Sequence, residues 1–145
     1  MLAERVMAAT RALPPDAADE EVLRAACRAF LQFIVDEPAF ARVFYIDMPT
    51  AGPRAVARFD AAERRFAEMT ATWHRRARAR HPDWPAVPDE VYLAVAGAIA
   101  KLVRTAVRNG QTGTLPKMED MLLSLHLAVL AGRPWPPADA QTSSQ

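Results

Sequence analysis

Proline punctuates this chain so regularly that only helices fit between the breaks. Its 12 prolines include Pro14-Pro15, Pro38, Pro49, Pro53, Pro82, Pro85, Pro88 and Pro116. Proline is tolerated in the first turn of a helix and breaks its interior. The stretches between these positions carry apolar residues at three- and four-residue spacing, with no alternating pattern and no β-branched run. The expectation is an all-α chain, a helical bundle of about five to six helices.

The helix boundaries follow. Leu2–Leu13 is a short helical pattern. A second runs from an N-cap at Asp16 or Asp19 to about Asp36, with Asp19, Glu20 and Glu21 at the positive end of its dipole. Pro38 opens a short helix to about Met48, with Phe40, Val43 and Phe44 inward, and a breaker cluster spans Pro49 to Pro53. A long helix runs from Pro53 to about Arg80 and stops at Pro82. The last pair is Pro88–Asn109 and Leu115–Ala131, and the segment after Gly132 is expected to fray.

That last pair carries more apolar surface than a small monomer is expected to cover. In the first helix of the pair only Lys101, Arg104 and Arg108 form a sizeable polar stripe. The second has two apolar arcs: Met118, Met121, Leu122, Leu125 and Val129 on one side, Leu123, Leu127 and Leu130 on the other. One arc can face the chain's own core and the other asks for a partner. Closed twofold dimers are the commonest oligomers. The expectation is a homodimer in which Val103, Val107, Leu123, Leu127 and Leu130 build an intermolecular four-helix bundle.

Composition narrows the class. A chain of 145 residues with 51% hydrophobic residues is expected to form one domain over residues 1–132, with residues 133–145 a flexible tail. Charged residues interrupt every apolar stretch before the ~18 residues a bilayer span needs, and the start lacks the apolar region of an export signal. Cys27 is the sole cysteine, so no internal disulfide is available. Both features agree with a cytoplasmic protein. A net charge of +1 argues against strong nucleic-acid binding. His74, His81 and His126 lack metal-ligand spacing with each other or with Cys27, and no phosphate loop or nucleophile elbow is present. Neither an enzyme, a cofactor nor a metal is expected. The basic run Trp73–His81 reads as cations complementing the negative end of the long helix, and His126 as a core or interface hydrogen-bonder.

A binding site is suggested on the long helix. Val56, Phe59, Ala62, Phe66, Met69, Trp73 and Ala77 form its inward stripe, and Glu63 and Thr70 interrupt it. A carboxylate aimed into an apolar core is costly unless it meets a partner, a wet space or a ligand. Polar groups among aromatics are how pockets orient their guests. Two outcomes fit the pattern: Glu63 projects into a pocket, or it lies at the stripe's edge and bends out toward Arg64 or solvent. For the first, the expected lining is Phe30, Ile34, Phe44, Phe59, Phe66, Trp73, Tyr92 and Ile99, with Glu63 and Thr70 as polar groups. A small apolar or cationic molecule would suit it.

The segments Glu37-Pro-Ala-Phe-Ala-Arg-Val-Phe-Tyr-Ile-Asp-Met, Ala51-Gly-Pro-Arg-Ala, Gly97-Ala-Ile and Val103-Arg-Thr-Ala-Val-Arg-Asn-Gly-Gln-Thr-Gly-Thr-Leu-Pro-Lys-Met carry a resemblance. The chain, from about Leu23 to Gly132, resembles the C-terminal regulatory domain of TetR/AcrR-type transcriptional repressors. The resemblance implies a bundle that holds a small, mostly apolar effector and dimerises through its last two helices. The family's N-terminal helix-turn-helix has no counterpart in this sequence, and Leu2–Leu13 looks like the tail of the connecting helix. DNA contact would therefore require a module outside this chain, and no DNA-contacting residue carries over. The expected function is a small-molecule-sensing and dimerisation domain of a TetR-like regulator. The alternative is a stand-alone helical interaction protein without a pocket. A cavity lined by Phe30, Phe66, Trp73 and Tyr92 would favour the sensor; a solid core with a larger exposed apolar face would favour the interaction module.

Overall fold

A computed structural model describes residues 1–135, and among them the architecture is all-helical. The α-helices are α1 (Leu2–Arg11), α2 (Asp19–Asp36), α3 (Pro38–Arg42), α4 (Pro53–Arg80), α5 (Asp89–Arg108) and α6 (Glu119–Leu130). The helical bundle is thus as expected, and Pro38, Pro53 and Pro88 sit at helix starts. Three boundaries differ. Asp19 is the first residue of α2, behind an Ala18 cap, and its carboxylate is engaged elsewhere. The expected helix to Met48 changes winding after Arg42, through a π-turn over Val43–Asp47 and a 3-10 turn over Met48–Thr50. The last helix begins only at Glu119, after a 3-10 segment over Thr112–Met118. The expected frayed tail falls mostly in residues 136–145, outside those described, while Arg133 forms an ion pair with Glu20.

The helices associate as three pairs. The Pro14-Pro15 turn folds α1 back along α2, burying Leu2 and Val6, with Arg5 bonded to Asp36 at 2.7 Å. α6 runs antiparallel to α2. Arg24 and Arg28 hold Glu119 at the start of α6 at 3.0 and 2.8 Å, and Arg133 holds Glu20 at the other end. α4 packs on α5 through small residues: Ala67 and Ala71 are buried in a cluster with Tyr92 and Leu130. Alanines at these positions let two helix backbones come close. The last two helices are therefore not each other's main neighbours, since α5 belongs to α4 and α6 to α2.

This arrangement corrects the expected dimer surface. Val103 is 1% exposed, Leu123 and Leu127 5%, and Leu130 0%, all within a single chain, and Val107 is half-buried against the same core. The arc Leu123, Leu127 and Leu130 is used internally, and so are Met118, Met121 and Leu122 of the other, whereas Val129 is exposed. The helix packs with α2 and the main core, while Leu122 and His126 face a cavity and Leu130 joins the α4/α5 cluster. A terminal helix laid between two layers has own-chain neighbours on more sides than its position in the sequence suggests. Large apolar residues that remain exposed, such as Leu93, Val129 and Val43, are scattered singly along the chain.

Candidate functional site

α2 and α4 touch firmly only toward one end. There the Trp73 indole N–H donates to the Asp19 carbonyl at 3.0 Å, and the Asp19 carboxylate binds Arg80 and the ring of His81. Hydrogen bonding from Arg80, ahead of its charge and of His81, holds the Asp19 carboxyl below the usual carboxylate range despite burial. At the other end an aromatic ladder bridges the gap. Phe33 meets Phe40 at 5.1 Å, Phe40 stacks on Phe44 at 5.4 Å, and Phe44 meets Phe59 at 5.0 Å. Between these two ties Phe30 of α2 still meets Phe66 of α4 edge-to-face at 5.9 Å, and beside that pair a cavity of about 1010 Å³ opens among α1, α2, α4, α5 and α6. That is at the upper end of the size range of small-molecule pockets.

Seven of the ten expected pocket residues line this space: Phe30, Phe44, Glu63, Phe66, Thr70, Trp73 and Ile99. Three do not. Ile34 is 0% exposed in the solid core beneath, and Phe59 backs the wall by packing on Phe44 and Tyr45. Tyr92 lies on the other side of α4, where its ring completes the α4/α5 packing. For Tyr92 the cause is that most of the aromatic stripe of α4 faces the cavity, and the close helix contact is made by the alanine face. The spacing Ala67, Ala71, His74, Ala77 is itself helical and marks that second face.

Glu63 takes the inward course. It is half-buried on the cavity wall and has no hydrogen bond or ion pair among the described residues. Burial, with the Asp60 charge adding, raises its carboxyl above the ordinary value. Tyr45, which the π-turn delivers to the same region, is 3% exposed, and burial followed by the Glu63 charge pushes its phenol upward. Sequence periodicity missed Tyr45 because a π-turn shifts side chains off the 3.6-residue register. Cys27 also lines the cavity; burial pushes its thiol up to about 12, so it is a small apolar wall element and not a reactive thiolate.

The basic run does structural work through specific partners. Arg75 binds Asp89 at 2.8 Å, Arg78 reaches the Trp84 carbonyl at 3.3 Å, and Arg80 and His81 hold Asp19. His74 is not part of that charge. It is 0% exposed, with the Nε2 hydrogen donated to the Leu130 carbonyl at 2.7 Å and the Tyr92 hydroxyl donating to Nδ1 at 2.7 Å. A carbonyl can only accept, so Nε2 carries a hydrogen, and burial, which lowers the proton affinity of the ring, favours Nδ1 as the acceptor from Tyr92. Among the described residues no cluster of His, Cys, Asp and Glu is placed to hold a metal, and no helix is long and apolar enough to cross a membrane.

Fold and cavity together define a helical domain with a large, partly open cavity lined by both apolar and charged residues. No family model, curated protein or solved structure matches the chain.

Proposed function

We propose that the chain is a small-molecule-sensing helical domain of a TetR-like regulator, with the cavity among α2, α4, α5 and α6 as its effector site. The cavity supports this assignment: about 1010 Å³, with Phe30, Phe66 and Trp73 on its wall beside polar groups that include Glu63, Thr70 and His126. A stand-alone interaction module would instead call for a filled core and a contiguous apolar surface. Among the described residues the large exposed apolar side chains are few, which is normal for a folded protein. Val103, Leu123, Leu127 and Leu130 take no part in the proposal, because they serve the chain's own core.

An effector would act by binding one bundle conformation better than another. The α1–α2 hairpin and α4 form opposite walls and are tied mainly at Asp19 and through the aromatic ladder. A molecule that fills the space between them favours the spacing that fits it. In an intact regulator, that spacing would pass to a DNA-reading module.

Thermal shift with a panel of hydrophobic cations and neutral aromatics tests the assignment. Binding to the folded state alone adds about 2.7 kcal/mol at a hundredfold excess over Kd. Cationic hits are expected to gain from the Glu63 carboxylate, and Glu63→Gln should weaken them selectively while sparing neutral ones. If no compound raises the melting temperature, the sensor assignment fails. If Glu63→Gln affects both classes alike, Glu63 is not the cationic anchor.

A further inference from the structure

His126 is among the most buried polar residues lining the cavity. Its ring is 4% exposed, and Nδ1 lies 2.7 Å from the Leu122 carbonyl one turn back. Because that carbonyl can only accept, Nδ1 carries the hydrogen and Nε2 is left as a bare acceptor. No protein group meets Nε2 among the described residues, yet it is not a sealed, unsatisfied atom. Nε2 therefore keeps some accessibility, and His126 is one of the residues that line the cavity. Phe30, Phe66, Ile99 and Leu122 are among the apolar residues lining the same cavity.

We propose that His126 Nε2 is the polar anchor of the cavity, and that it selects an aromatic ligand carrying a neutral hydrogen-bond donor, a phenolic O–H or an aryl N–H. The inference rests on the sensor assignment above and specifies its ligand. The donor must be neutral because the chemistry at this depth rejects charge. An anion would present lone pairs to a lone pair, and a cation would shed its hydration against an uncharged imidazole. Burial holds the imidazole in its uncharged form, lowering its proton affinity below that of an ordinary histidine. A donor-bearing aromatic satisfies Nε2 and fills the apolar walls with one molecule. Glu63, half-buried on the same lining, is a separate determinant.

Calorimetric titration of the full chain with para-phenylphenol and with its methyl ether isolates the donor. The phenol is expected to bind about tenfold more tightly, the effect of leaving one buried acceptor unpaired in the ether complex. His126→Leu should remove that preference while keeping affinity for the ether, and His126→Gln, whose amide oxygen accepts, should retain part of it. Nitrogen NMR of the wild-type imidazole supplies a reading that needs no variant: the Nε2 resonance should move with the phenol and stay nearly fixed with the ether. Equal affinities, a preference that survives His126→Leu, or an Nε2 resonance indifferent to the phenol would overturn the anchor while leaving a ligand-binding cavity intact. Failure of both compounds to bind would overturn the anchor together with the sensor assignment.

Discussion

Leu127→Glu is expected to leave the chain unfolded at room temperature, with helical circular dichroism and the cooperative melt both lost. Leu127 is 5% exposed within its own chain, in the core that α2 and α6 share. Removing a buried leucine side chain costs about 2–5 kcal/mol, and an unpaired carboxylate in its place adds several more. The sum rivals the ~5–15 kcal/mol that holds a domain together. An interface residue would behave differently, giving a folded monomer from a folded dimer. A Leu127→Glu protein that stays helical and merely changes its sedimentation would return Leu127 to the intermolecular role suggested by the sequence.

The second large effect falls on His74. Its ring joins three helices, with Nε2 on the α6 carbonyl of Leu130 and Nδ1 on the α5 hydroxyl of Tyr92. It also lies 6.1 Å from the Trp84 ring, which stacks on His81 at 4.4 Å. His74→Ala opens a cavity and strands two buried polar groups, at a cost of about 3–5 kcal/mol, which lowers Tm by roughly 10–20 °C. The pH dependence has a definite sign. Burial lowers the proton affinity of His74 and of His126 in the folded state. The unfolded chain therefore binds more protons, and their contribution is complete above about pH 6.5 and declines as pH falls toward the folded values. Asp19 and Glu119, both held low by arginine hydrogen bonds, add a further loss once pH enters the carboxylate range. Glu63 has the opposite sign, since its raised carboxyl is relieved by protonation. Urea unfolding between pH 7 and pH 5 should show stability falling, with a shallower slope in a folded His74→Gln variant. A stability that stays level over this range would contradict the buried neutral histidines.

Helix number and most boundaries were legible because proline placement and 3.6-residue periodicity are local signals. Which face of each helix meets which neighbour is not local. On α4 the aromatic stripe looked like the packing face because periodicity weighs size. The contact with α5 instead uses Ala67 and Ala71, whose smallness permits close approach, and the aromatics are left around a space. Glu63 and Thr70 were recognisable as polar interruptions among aromatics, and both line that space. Tyr92 was misplaced with its face, since it partners the alanines and His74. His74 was hidden inside a basic run, where composition suggests solvent. Neither the π-turn that delivers Tyr45 nor the layered burial of α6 leaves a periodic trace, because each depends on contacts distant in sequence.

The central claim is that the space between α2 and α4 admits a small molecule. Fluorescence titration with a neutral naphthylamine probe tests it most directly, comparing wild type with Ala100→Trp. Ala100 sits on the α5 wall of the cavity, half-buried, so an indole there has room to project inward without displacing the α4/α5 contact. Wild type should show saturable one-to-one binding with enhanced, blue-shifted emission. Ala100→Trp should weaken that binding at least tenfold while Tm is kept or raised, as expected when a side chain fills an apolar void. The absence of saturable binding by the wild type, or binding that Ala100→Trp leaves unchanged, would contradict the account.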